Sequence, residues 1–200
     1  MIAERAADGR RLMIGIAGPP GAGKSTLADR LYERLNAQLP GDPAVVVPMD
    51  GYHFDNEILA ARNLLPRKGA PQTFDVAGFQ HLLARLRAGE NDVAIPVFDR
   101  DRDLARAGAR LVTVAQRILL VEGNYLLLQQ PGWAVLKSLF DLTVFLPVPT
   151  TVLEQRLIQR WLDQGLAPAA AEARARSNDL PNAALVMTGS QPADFTLSSY

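Results

Sequence analysis

Near the start of this chain an apolar run, a glycine-rich corner and a lysine-hydroxyl pair follow one another directly: RLMIGIA, then GPPGAG, then KST. Nothing else in the sequence limits the fold so tightly. Gly18 to Ser25 matches the full phosphate-binding pattern GxxxxGK[ST], with Pro19, Pro20, Gly21 and Ala22 between Gly18 and Gly23. Leu, Met and Ile dominate the run before it, and Leu27, Leu31 and Leu35 recur at four-residue spacing after it. The corner therefore joins a strand to a helix, where backbone N–H groups and the positive end of the helix dipole converge on one anion-sized concavity. In that setting Lys24 serves the β and γ phosphates of a nucleoside triphosphate, Ser25 is a Mg²⁺ ligand, and Thr26 reaches the α phosphate. A glycine-rich turn before a helix is the alternative, but it explains neither the lysine nor the hydroxyl.

The rest of the chain continues that alternation. Leu12 to Ala17, Val45 to Met49, Ile118 to Val121 and Leu142 to Leu146 are short apolar runs, as expected of parallel strands covered on both faces. Helical periods lie between them. Phe79, Leu82, Leu83 and Leu86 make one stripe with Asp75 as its cap, and Leu153, Leu157 and Trp161 make another, opened by a capping box of Thr151 and Glu154. Parallel neighbours need helical crossovers, so the pattern predicts one doubly wound α/β domain over residues 1–200 with the P-loop NTPase fold. Pro66 to Thr73 and Asp99 to Arg110 read as irregular polar excursions, and Asp194 to Leu197 as a short closing strand.

Composition removes several function classes. Lys+Arg and Asp+Glu number 21 each, a balance that argues against nucleic acid or an anionic membrane surface as the main partner. Without cysteine there is no disulfide, thiolate metal site or cysteine nucleophile. MIAERAADGRR lacks the apolar segment of a secretory signal, and no run approaches the roughly 20 apolar residues that span a bilayer. A cytoplasmic protein is the expectation, with homo-oligomerisation left open.

In open α/β sheets ligands sit beyond the carboxyl ends of the strands. Two acids end strands there: Asp50 after VVVPM, and Glu122 after ILLV. Glu122 is expected to hold Mg²⁺ together with Ser25. Asp50 opens DGYH and is expected to act as general base, taking the proton of an attacking hydroxyl, while Tyr52 and His53 offer faces and polar tips to a small polyhydroxylated molecule. Asp-Gly is also ordinary turn chemistry.

Taken together, GPPGAGKST, MDGYHFD and ILLVEGNYLL, in this order and at these separations, resemble the phosphoribulokinase and uridine kinase family, which includes a bacterial pantothenate kinase. Small bacterial members described as sugar (fructose) kinases are the most similar in length and in the DGYHFDN segment. The resemblance implies ATP-dependent, Mg²⁺-assisted transfer of the γ-phosphoryl group to a metabolite hydroxyl, with a basic lid helix at about 150–180. Arg156 and Arg160, four apart on one helical face, are similar to that lid; their alternative is a solvated face paired with Glu154. Arg67, Lys68 and Arg100 fall where relatives place substrate loops, with plain surface as the alternative. Asn182 is the expected adenine contact from its position near the C-terminus, and His81 a surface residue. A nucleotide switch is the rival class, but the chain has no NKxD or TKxD segment and no glycine-bearing DxxG switch after a second strand.

Overall fold

Alternating burial builds the central sheet. In a computed structural model, which describes residues 11–198, strand β1 (Leu12–Ala17) is buried along its whole length. Met13 and Ala17 point into one hydrophobic cluster and Leu12, Ile14 and Ile16 into the other. Strand β5 (Ile118–Gly123) does the same, with Leu119 and Val121 on the first side and Ile118 and Leu120 on the second. Side chains alternate across a strand, so a run with no polar position needs a layer on each face.

Those layers are helical on one side and mixed on the other. Helix α1 (Lys24–Gln38) and helix α4 (Thr150–Asp163) cover the second face through Ala28, Leu35, Leu153 and Leu157. Helix α3 (Val76–Arg87) covers the first through Phe79, Leu82, Leu83 and Leu86, and Asp75 caps it by accepting from the Gly78 N–H. Phe79 is fully buried. Phe79→Ala should therefore lower unfolding stability by about 3–5 kcal/mol, measured as a fall in the urea midpoint at unchanged slope.

The five strands lie in the order β2-β5-β1-β6-β7, and every neighbouring pair is parallel. Here β2 is Ala44–Pro48, β6 is Leu142–Phe145 and β7 is Phe195–Thr196. The α/β expectation holds. Strand β5 sits between β1 and β2, and the register sets Glu122 level with Ile16 on one side and Pro48 on the other. The ends of three strands thus open onto one place.

Two local expectations are corrected. Asp99 to Arg110 is largely a ribbon: β3 (Val93–Asp99) pairs antiparallel with β4 (Leu104–Val112), with a register shift between Ile95 and Val97. Most of β4 is exposed or half-buried, and its alanines alternate with arginines and Gly108 too weakly in hydrophobicity to signal a strand. Thr151 and Glu154 form no capping box. Helix α4 already begins at Thr150, Pro149 takes the cap position without a side-chain bond, and Glu154 pairs with Arg176 at 2.8 Å.

Between these elements lie helix α2 (Asn56–Ala61) and the short turns Leu65–Arg67 and Pro71–Thr73, which give Pro66 to Thr73 more order than expected. After α4 come α5 (Pro168–Arg174), one π-helical turn (Ala175–Asp179) and α6 (Leu180–Gly189). Among the described residues no helix is long and apolar enough to cross a membrane.

Candidate active site

The site grows from the turn between β1 and α1. Gly23, at the cap of α1, has φ +86, a left-handed conformation that L side chains rarely adopt. The bend closes on itself through Ala22 N–H to the Pro19 carbonyl at 3.1 Å. Lys24 folds back over it, donating to the Pro19 carbonyl at 3.0 Å and to Asn124 Oδ1 at 2.7 Å. Burial lowers the lysine's pKa, an effect that the Glu122 and Asp50 charges oppose. Asn124 drew no attention in the sequence. Its one signal was its place two residues beyond Glu122, at the open end of β5.

Glu122 is buried at that strand end and accepts from the Ser25 hydroxyl at 3.4 Å. Burial, reinforced by Asp50 and opposed by Lys24, pushes its pKa up to about 7. A carboxylate and a hydroxyl beside the phosphate loop suit a hard cation that takes few protein ligands and completes its shell with phosphate and water. The donor set thus fits Mg²⁺. The raised pKa has a stability consequence. The folded state holds the Glu122 proton across the window from 4.5 to about 7, where the unfolded chain has released it. The contribution is therefore fully present below 4.5 and is lost as pH rises through about 7. Metal-free Glu122→Gln should lack this slope and be more stable than wild type at pH 8, by on the order of 2 kcal/mol, which urea titrations at pH 4.5 and 8 would measure.

Asp50 stands on the next strand over, in the short helical turn Met49–Tyr52 that follows β2. Arg100 from the ribbon donates to Asp50 Oδ2 at 3.1 Å. The ribbon can come this close because Gly51 has no side chain: a Cβ there would lie 2.5 Å from the Pro96 carbonyl oxygen. His53 packs against Phe74 and Phe98, with ring centroids 4.0 and 4.8 Å away, and its Nδ1 is 2.8 Å from the Asp50 carbonyl. Burial lowers the pKa of His53.

Three cavities surround this core. The first, of about 250 Å³, runs from Gly21 to Thr26 past Glu122 and Asn124 to Asp50, Arg100 and Arg160. A second, of about 100 Å³, shares Pro20, Asp50, Arg100, Asn124 and Arg160 with it and adds His53, Lys68, Phe98, Asp179 and Asn182 among its walls. The third, of about 610 Å³, lies on the outer side of the phosphate loop against Leu27, Arg30, Arg156 and Leu197.

The predicted residues distribute unevenly over these spaces. Lys24, Ser25, Thr26, Asp50, Glu122 and Arg100 meet in the first cavity. Arg160 lines the first and second, its buried Nε without a hydrogen-bond partner among the described residues. Arg156 instead donates to the Gly21 carbonyl at 3.2 Å and faces the third cavity, so the two arginines straddle the loop, and neither uses Glu154. Lys68 reaches the second cavity, where its ammonium is bound by Asn56 and Asp103.

Other residues sit elsewhere than expected. The Tyr52 ring packs on Phe79 at 5.1 Å as part of the core edge, and burial raises its pKa to about 12. Arg67 ties the turn before it to the C-terminal helices, donating to the Ser177 carbonyl at 3.0 Å and to Asn182 Oδ1 at 3.4 Å. Asn182 is buried in the wall of the second cavity, across the loop from the third. Its nearness to the C-terminus in sequence pointed to adenine, whereas α6 packs back so that Asn182 lines the second cavity beside Lys68 and Asp179. His81 is exposed as expected. Sequence reasoning missed Asp103, Arg174 and Asp179, which no local period distinguishes.

A continuous space from a phosphate loop to a strand-end aspartate is the arrangement against which known proteins can be compared. The profile of the Phosphoribulokinase / Uridine kinase family matches residues 13–165. The chain belongs to this family. It is 47% identical to the crystal structure of a "putative fructose transport system kinase" from Silicibacter sp. TM1040, with a TM-score of 0.88 over 98% of both chains. It is also similar to the uncharacterized protein YggC of Escherichia coli (39% identity, 92% of this chain and 76% of that protein). The "putative uridine kinase C227.14" of Schizosaccharomyces pombe is 34% identical over 94% of this chain and 83% of that protein.

Proposed function

We propose that this family member is an ATP-dependent small-molecule kinase that phosphorylates a hydroxyl of a sugar-like acceptor, with fructose as the first candidate. The observation that carries this reading is the shared wall of the first two cavities. Asp50, Arg100, Asn124 and Arg160 border both, so a triphosphate seated on the loop would present its terminal group where an acceptor in the second cavity can attack. The similarity to the Silicibacter protein supports the sugar class.

The chemistry assigned to each residue follows from its place. The acceptor oxygen forms a bond to the γ phosphorus, the bond to the β–γ bridging oxygen breaks, and ADP leaves. Arg100 occupies Asp50 Oδ2, so Oδ1 is the oxygen placed to take the acceptor's proton. Lys24 and Arg160 offset charge on the transferring group from two sides, which matters most in a space closed to water. Mg²⁺, held at Ser25 and Glu122, would neutralise charge on the β and γ phosphates when bound. Arg30 and Arg156, on the outer side of the loop, are left to the nucleoside end of ATP.

The test is ADP release with Mg-ATP and a panel of fructose, other sugars, pantothenate and nucleosides. Release that depends on one acceptor supports the kinase, and release that no acceptor changes refutes it.

A further inference from the structure

The roof of the acceptor cavity is the only π-helical turn among the described residues. Ala175–Asp179 interrupts the helical run between α5 and α6, and such single turns recur at functional sites. It carries Asp179, which is 7% exposed and lines the second cavity. The indole N–H of Trp161 donates to its Oδ2 at 2.6 Å, while Oδ1 has no hydrogen bond among the described residues. Three residues on, and so on the same helical face, stands Asn182. Arg67 donates to Asn182 Oδ1, which fixes the amide orientation and leaves its two Nδ2 protons without a protein acceptor. One free acceptor and one free donor thus stand side by side in a buried wall.

We propose that Asp179 and Asn182 are the specificity-determining pair for an uncharged polyol acceptor: a hydroxyl donates to Asp179 Oδ1 and accepts from Asn182 Nδ2. This rests on the kinase reading and narrows it. Apart from Arg160, the cavity's cations donate to groups of the protein itself. Lys68 is taken by Asn56 and Asp103, Arg100 by Asp50, and Arg174 by the Pro66 and Lys68 carbonyls. Arg160 serves the transferring phosphoryl. A phosphate or carboxylate placed at this pair would set like charge directly against the buried Asp179 carboxylate. Phe74, Phe98 and Trp161 line the same cavity and add apolar surface beside the pair.

The experiment is calorimetric titration of the Mg²⁺ complex of a nonhydrolysable ATP analogue with fructose, ribose and their phosphate esters. At least one free sugar should bind wild type, with its ester at least tenfold weaker. Asp179→Asn keeps an oxygen for Trp161 but loses the charge, so it should bind the free sugar at least tenfold more weakly at unchanged affinity for the ATP analogue. Asn182→Ala should shift the same constant in the same direction, which guards against a folding defect in either variant. An ester that binds more tightly than its parent sugar, no binding by either free sugar, or wild-type sugar affinity in both variants overturns the proposal. ADP release driven by an ester would overturn this pair while leaving the kinase reading intact. Failure of wild type to bind the ATP analogue would instead remove that reading.

Discussion

Asp50→Asn lowers turnover by roughly 100- to 10,000-fold, the range for loss of a positioned general base. Asparagine keeps the shape of the side chain and can still accept from Arg100, so the ribbon stays where it is and the loss falls on proton transfer. Three features support the proposed base. Asp50 borders both the first and the second cavity, one of its oxygens is held by Arg100, and its turn is pinned by the close approach of Pro96 to Gly51. ATP affinity should change little, because the loop that would hold the triphosphate keeps its own hydrogen bonds. Single-turnover rates with the acceptor found in the screen are the measurement. Near wild-type rates in Asp50→Asn would remove the base assignment and leave Lys24 and Arg160 as charge stabilisers alone.

Lys24→Ala should lose roughly 100- to 1000-fold in turnover, by analogy with removing one preorganised transition-state donor. The ammonium is desolvated by burial, so its interaction with developing charge is stronger than it would be in water. It also restrains Glu122, whose pKa it lowers against burial and Asp50. Taking it away should raise the Glu122 pKa further, and the loss of stability with rising pH would move to higher pH in the metal-free protein. That second readout separates the lysine's electrostatic role from simple loss of a loop contact. Unchanged turnover in Lys24→Ala contradicts the mechanism whatever the stability shows.

Residues from separate parts of the chain were legible in unequal degree. Lys24, Ser25, Asp50 and Glu122 could be read because each is tied to a local pattern: a motif with fixed spacing, or the last position of an apolar run. A strand ending in a parallel sheet points at the ligand edge whatever the rest of the chain does. Asn124 was within reach of the same argument, two positions past Glu122. The β3–β4 ribbon was not, because only its base is buried, at Val93, Ile95 and Val112, and the rest is exposed or half-buried strand. Arg67 and Lys68 are adjacent and equally charged, yet one ties two helical segments together and the other reaches the cavity wall. Their sequence context is the same, and only what folds over them differs.

The amino-acid sequence alone determined the layered α/β architecture, the phosphate loop and the two strand-end acids, since hydrophobic period and backbone requirements act over a few residues at a time. Tertiary structure decided that Arg156 and Arg160 part to opposite sides of the loop, that Tyr52 joins the core, and that Asp179 and Asn182 line the second cavity. Those outcomes depend on how α3 to α6 pack against the sheet. That packing is a sum of contacts between segments more than a hundred residues apart, as in Arg67 with Asn182, and no local pattern encodes it.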